Sequence, residues 1–105
     1  MASSVEFVEY VCGQAEGAGD VSYRKMFGEY GIYLDGKFIG VICDNQFFVK
    51  ITKAGEEILP ACPKEPPYDG AKPYFLIEDP EDRDLLHRFL RASFEELPEP
   101  KPKKK

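Results

Sequence analysis

Two hydrophobic rhythms divide this chain. Between residues 22 and 51 apolar side chains come in short runs separated by turn residues, whereas toward both ends they recur every three to four positions. The first rhythm belongs to strands, whose side chains point alternately to opposite faces, and the second to helices. The central stretch predicts strands near Ser22–Met26, Glu29–Leu34, Lys37–Cys43 and Gln46–Ile51. Asp35-Gly36 separates two of them, and Asp-Gly tolerates the positive φ angles of a two-residue type I′ hairpin turn. Asp44-Asn45 repeats the arrangement one strand later. Gly28 and Gly31 interrupt the pattern, which suggests a bulge or a close backbone approach. In the fourth strand Phe47, Val49 and Ile51 point one way, and Gln46 and Lys50 the other. The third does not alternate. Simple parity places Phe38 and Ile42 on one face, and Ile39, Val41 and Cys43 on the other. A strand apolar on both sides calls for cover on both sides. A sheet face left open would be a sticky patch of the kind that marks a partner surface.

The flanking segments read as helices. Ser3 and Glu6 have capping-box spacing, and Val5, Val8, Val11, Cys12 and Ala15 follow at helical intervals until Gly17. Gly17-Ala18-Gly19 follows a helix and opens a strand, the reverse of the order a phosphate-binding loop requires. Thr52–Ala61 predicts a short helix capped by Thr52, limited to about two turns by Gly55 and Pro60. Cys62–Lys72, with Pro63, Pro66, Pro67 and Gly70, reads as a loop, and Tyr74–Ile77 as a final strand. The last helix is expected to start with Asp79 as N-cap and Pro80 as its first residue, with Glu81 and Asp82 at the positive end of the dipole. Leu85, Leu86, Phe89, Leu90, Phe94 and Leu97 make its apolar face, and Asp84 and Arg88 sit at i, i+4 on the wet side. Pro98 ends it, leaving residues 98–105 as a flexible Pro/Lys tail. The sum is one α+β domain over residues 1–97: two layers, an antiparallel four- to five-stranded meander sheet with N- and C-terminal helices packed on it.

Composition narrows the function classes. With 43% hydrophobic and 31% charged residues among 105, the chain is expected to fold as a soluble domain. Its net charge is −5, but four of the basic residues are Lys101, Lys103, Lys104 and Lys105, so residues 1–100 carry ten basic against nineteen acidic side chains. Such a domain repels phosphate, which argues against direct nucleic-acid binding and suits a protein partner. Three cysteines without C-x-x-C spacing suggest reduced thiols in a cytoplasmic protein, and no metal site. The start MASSVEFVEY lacks a secretory pattern, and no apolar run is long enough to span a bilayer.

Catalytic chemistry finds little support. The single histidine, His87, lies beside the apolar stripe of the last helix, where a structural role is expected. The spacing shows no nucleophile–base arrangement, and the carboxylates are spread as solvated faces are. No catalytic residue and no cofactor is assigned. Tyr23, Phe27, Tyr30, Tyr33, Phe38, Phe47 and Phe48 concentrate near Arg24 and Lys25. That mixture can stack single-stranded bases, but nearby Glu29, Asp35 and Asp44 favour reading the rings as core and sheet surface.

At Arg24-Lys25-Met26-Phe27-Gly28-Glu29-Tyr30-Gly31 the chain resembles the amino-terminal domain of the TfoX/Sxy family. The order continues through Asp35-Gly36 to Asp44-Asn45-Gln46-Phe47-Phe48-Val49-Lys50, and Gly70-Ala71-Lys72-Pro73-Tyr74-Phe75 and the closing helix are similar too. The resemblance implies a sheet covered by helices, as in type III secretion chaperones, in a bacterial competence and transcription co-regulator. The implied partner is protein, including transcription machinery and the cyclic-AMP receptor protein, and no catalytic residues come with it. The binding residues it points to are Arg24, Lys25, Phe27, Gly28, Tyr30 and Gly31. The alternative is a stand-alone homodimeric peptide- or ligand-binding module of secretion-chaperone type, joined through an apolar sheet face.

Overall fold

The computed structural model describes residues 3–26, 28–78 and 80–97. Helix α1 (Val5–Ala15) runs into a single 3-10 turn and then into β1 (Val21–Met26), β2 (Glu29–Leu34), β3 (Lys37–Cys43) and β4 (Gln46–Val49). Helix α2 (Lys53–Ile58), β5 (Lys64–Glu65), β6 (Tyr74–Ile77) and α3 (Arg83–Glu96) complete the domain. The strands form one antiparallel sheet in the order β1-β2-β3-β4-β6-β5. After α2 the chain therefore crosses to the far edge and returns through β6. The fold is α+β, as expected. The sheet has six strands because part of the anticipated loop, Lys64–Glu65, pairs with β6.

Both hairpin turns carry the required backbone, with positive φ at Asp35 and Gly36 and at Asp44 and Asn45. The helix-side core joins Val8, Val11 and Ala15 of α1 and Leu86, Phe89 and Leu90 of α3 to Ile32, Leu34, Ile42, Phe47, Val49, Phe75 and Ile77 of the sheet. Phe75 and Phe89 meet edge to face at 5.2 Å, a contact that adds about 0.5–1.5 kcal/mol to simple burial.

The parity expected for β3 is corrected by a bulge. Ile32 is opposite Gly40 and Tyr33 is opposite Phe38, so Ile39 is an extra residue. Ile39 and Ile42 consequently share the helix-side core. Phe38, Val41 and Cys43 join Phe48, Leu76 and Tyr74 on the opposite face. The extra residue also turns Lys37 toward α3, since a one-residue slip moves a side chain to the other face. Gly28 and Gly31 are not the site of this irregularity: Gly28 sits in the turn after β1 with φ 79, and Gly31 lies within regular pairing to Arg24 and Val41. Gly40 is the position that needs glycine, because a Cβ there would overlap the Phe48 carbonyl oxygen.

Two helix starts also differ from expectation. Ser4, not Ser3, caps α1, its hydroxyl accepting from the Phe7 N–H at 3.1 Å. Ser3 is drawn instead to the β3–β4 turn, where its hydroxyl accepts from the Asn45 N–H at 2.9 Å. Helix α3 starts at Arg83 with Asp82 as its N-cap. Pro80 and Glu81 form a turn before it, and the Pro80 carbonyl accepts from the Gln14 side chain of α1 at 2.9 Å. Thr52 caps α2 as anticipated, accepting from the Gly55 N–H at 2.9 Å. The expectations for Asp79 and for residues 98–105 lie outside the described residues.

Candidate binding cleft

Helices α1 and α3 cover one face of the sheet, and the segment joining β5 to β6 borders the other. Between that segment and the strands lies a cleft of about 930 Å³. Its walls are aromatic: Tyr33, Phe38 and Tyr74 on the strands and Tyr68 on the connecting segment, with Pro67 at the rim. Val41 and Cys43 contribute apolar floor, and Glu29 and Asp44 mark an acidic end. Tyr68 is 58% exposed, a large ring left in water at the mouth. A second recess of about 500 Å³ shares Tyr68 and Tyr74 and is lined also by Lys50, Lys72 and Leu97.

Cross-strand pairing sets the other end of the cleft. Tyr33 faces Phe38 across β2 and β3, their centroids 5.5 Å apart. The Arg24 guanidinium lies 5.8 Å from the Tyr33 centroid, and the Lys50 ammonium 5.3 Å from the Phe38 centroid. The result is a row running cation, ring, ring, cation across β1, β2, β3 and the residue that follows β4. It depends on the bulge, because an unbroken β3 would send Phe38 into the helix-side core.

Electrostatics at the acidic end are ordered by backbone. Partial burial pushes the Glu29 carboxyl upward, but the N–H groups of Asp44 and Ser3, each 2.9 Å away, outweigh it and hold the pKa below its ordinary 4.5. Beside it burial drives the Cys43 thiol up to about 11, with Glu29 and Asp44 adding to the shift. Tyr74 is likewise raised by burial, with Tyr68 and Cys43 contributing. The cleft thus presents carboxylates at one end and aromatic and thiol groups beyond them, while Arg24 and Lys50 stand against the Tyr33 and Phe38 rings outside its lining.

The residues singled out by sequence are only partly brought together. Tyr30 borders the cleft, 6% exposed, and its ring packs edge to face on Tyr23 at 5.7 Å. Arg24 reaches the cleft through Tyr33, whereas Lys25 is exposed on the next residue of the edge strand. Gly31 is buried in the middle of β2 and Gly28 stands open in the hairpin turn. Phe27 lies outside the described residues. Sequence reasoning does not assign Pro67, Tyr68 or Tyr74 to a site: Tyr68 stands in the expected Pro-rich loop and Tyr74 at the start of the expected final strand. His87 stands away from the cleft, its Nε2 2.7 Å from the Gln14 carbonyl oxygen where α3 crosses α1.

The chain has relatives. An uncharacterized 12.7 kDa protein in trpE 5′ region from Spirochaeta aurantia is 37% identical over 105 residues, covering 99% of this chain and 91% of the relative. The TfoX N-terminal domain family matches residues 14–97, a span that runs from the end of α1 through α3 and holds every residue lining the cleft. The chain belongs to the TfoX N-terminal domain family.

Proposed function

We propose that this domain is a non-catalytic, protein-binding transcription co-regulator of TfoX type, and that the cleft on the uncovered sheet face receives its protein partner. The observation that carries the reading is the aromatic cleft itself: Tyr33, Phe38, Tyr68 and Tyr74 around an apolar floor. Aromatic residues are enriched at protein interfaces because they bury much area at low entropic cost. Burial keeps the Cys43 thiol protonated, and His87 is engaged between two helices, so binding suits these groups better than acid–base or nucleophilic work. The nine-unit acidic excess of residues 1–100 favours protein over duplex DNA.

The test is affinity capture from extract of a competence-forming bacterium, with the intact chain and a Phe38→Ser, Tyr68→Ser variant as baits. Recovery of RNA polymerase or a promoter-bound activator by the intact chain alone supports the reading. Salt-resistant binding of the purified protein to duplex DNA overturns it. A second reading, a peptide- or ligand-binding module of secretion-chaperone type, draws on the cleft volume, which falls within the range of small-molecule sites. Native mass spectrometry separates the two: a retained small molecule, together with failure to capture transcription proteins, selects the second.

A further inference from the structure

Among the described residues strand β1 has a partner on one side only. It is an outer strand of the sheet, pairing with β2 through six consecutive residues without a bulge. The Asp35 N–H donates to the Asp20 carbonyl at 2.7 Å, so residues 20 and 35 form a hydrogen-bonded pair. Such pairs alternate along an antiparallel ladder. Ser22, Arg24 and Met26 therefore turn their backbone groups toward β2, and Val21, Tyr23 and Lys25 turn theirs outward. Among the described residues no further backbone hydrogen bond takes those outward groups up. Ser22, Tyr23, Arg24 and Lys25 are all exposed. The opposite edge, β5, is two residues long and flanked by Pro63 and Pro66, a blunted edge.

We propose that β1 is a homodimer edge, pairing antiparallel with β1 of a second copy about a two-fold axis at Tyr23. Charge on the strand is self-complementary in that register. Asp20 and Arg24 lie on one face, four residues apart, so Arg24 comes diagonally opposite the partner's Asp20, and the reverse contact follows by symmetry. Lys25 meets the partner's Val21 rather than another lysine. Centring the axis on Arg24 or Lys25 would oppose like charges, and centring it on Ser22 would leave Lys25 without a partner residue in β1. The Tyr23 register engages all three outward pairs. The two sheets become one, and both aromatic clefts fall on the same side, giving a bivalent platform whose second binding event gains from proximity. The dimer stands independently of what the cleft binds.

Sedimentation equilibrium of the full chain tests this. The expected result is a reversible monomer–dimer equilibrium. Tyr23→Pro removes an outward N–H without touching the bonds to β2, and is expected to raise the dissociation constant at least about tenfold with an unchanged circular dichroism spectrum. Arg24→Asp is expected to weaken the dimer, and Asp20→Arg combined with Arg24→Asp to restore it, a rescue that holds the test open if the proline variant fails to fold. A chain that stays monomeric at high concentration overturns the proposal. So does a dimer indifferent to the charge reversal and its rescue, since that association uses another surface.

Discussion

Lys37 and Phe94 meet twice: the Lys37 ammonium donates to the Phe94 carbonyl at 2.7 Å and lies 4.1 Å from the centroid of the same residue's ring. A second donation of 2.8 Å reaches the Leu97 carbonyl. These oxygens belong to the last turn of α3 and its cap, the negative end of the helix. Lys37 is 4% exposed, so the contact is made largely out of water. Lys37→Met keeps most of the stem and removes the donor. The expected loss is about 1–3 kcal/mol, the usual cost of stranding buried acceptors. Urea unfolding checks it, as a lower midpoint at unchanged slope. An unshifted midpoint would mean the lysine only snorkels.

The bulge makes a sharper prediction. A methyl group at residue 40 would overlap the Phe48 carbonyl oxygen, a backbone atom that cannot rotate away. Gly40→Ala is expected to destabilise the fold by about 3 kcal/mol or more. Gly13 is the contrasting case: it is exposed within α1, and a Cβ there meets nothing within 4 Å. Gly13→Ala is expected to stabilise by about 0.5–1 kcal/mol through helix propensity and unfolded-state entropy. Parallel denaturation of the two variants measures both signs. A tolerated Gly40→Ala would show that β3 and β4 do not approach as described.

Local chemistry made most of the architecture legible. Asp35-Gly36 and Asp44-Asn45 announce their turns because few residues adopt positive φ, and the valines of α1 and leucines of α3 repeat at helical spacing. The Ile39 bulge was not legible, since it depends on Gly40 sliding against Phe48, a contact between strands. With parity lost there, simple alternation puts Phe38 on Ile42's face, whereas Phe38 lies on the opposite one. Cap positions failed for a related reason. Ser3 and Ser4 are equivalent locally, and distant contacts with Glu29 and Asn45 decide between them. The cleft is half visible: Tyr33 and Phe38 stand within an aromatic cluster and Tyr74 opens an expected strand, but Tyr68 joins them through the path of the Pro-rich segment, which has no sequence period to read.

Acid is expected to loosen two carboxylate clamps. Glu29 is held below its ordinary pKa by the Asp44 and Ser3 N–H groups, and Glu96 by the Ala54 and Lys53 N–H groups at the start of α2. A carboxyl whose folded pKa is depressed contributes stability that is fully present above its unfolded value. That contribution fades as pH falls through the unfolded and then the folded value. Near pH 7 the Glu29→Gln, Glu96→Gln variant is therefore expected to unfold at lower urea than the parent, and the gap is expected to narrow progressively as pH falls below the ordinary 4.5. A gap that persists in acid would assign the effect to side-chain shape rather than charge.

The three thiols give a final test that reports directly on the cleft. Burial, assisted by Glu16 and Glu9, pushes Cys12 up to about 11, and burial with Glu29 and Asp44 does the same to Cys43. Burial raises Cys62 also, although Lys64 pulls the other way and its Sγ donates to the Leu76 carbonyl at 3.2 Å. Thiolate, not thiol, attacks disulfide reagents, and a rise from 9.0 to about 11 leaves roughly a hundredfold less of it near neutral pH. The native protein at about pH 8 is expected to react with an aromatic disulfide reagent at least tenfold more slowly than the denatured chain, and to quicken as pH rises. Cys43→Ser identifies the phase that belongs to the cleft. A partner seated on Tyr33, Phe38 and Tyr68 is expected to slow that phase alone, leaving Cys12 and Cys62 unchanged. Rapid labelling of all three thiols at neutral pH would contradict the burial of Cys43 on which the reading of this face depends.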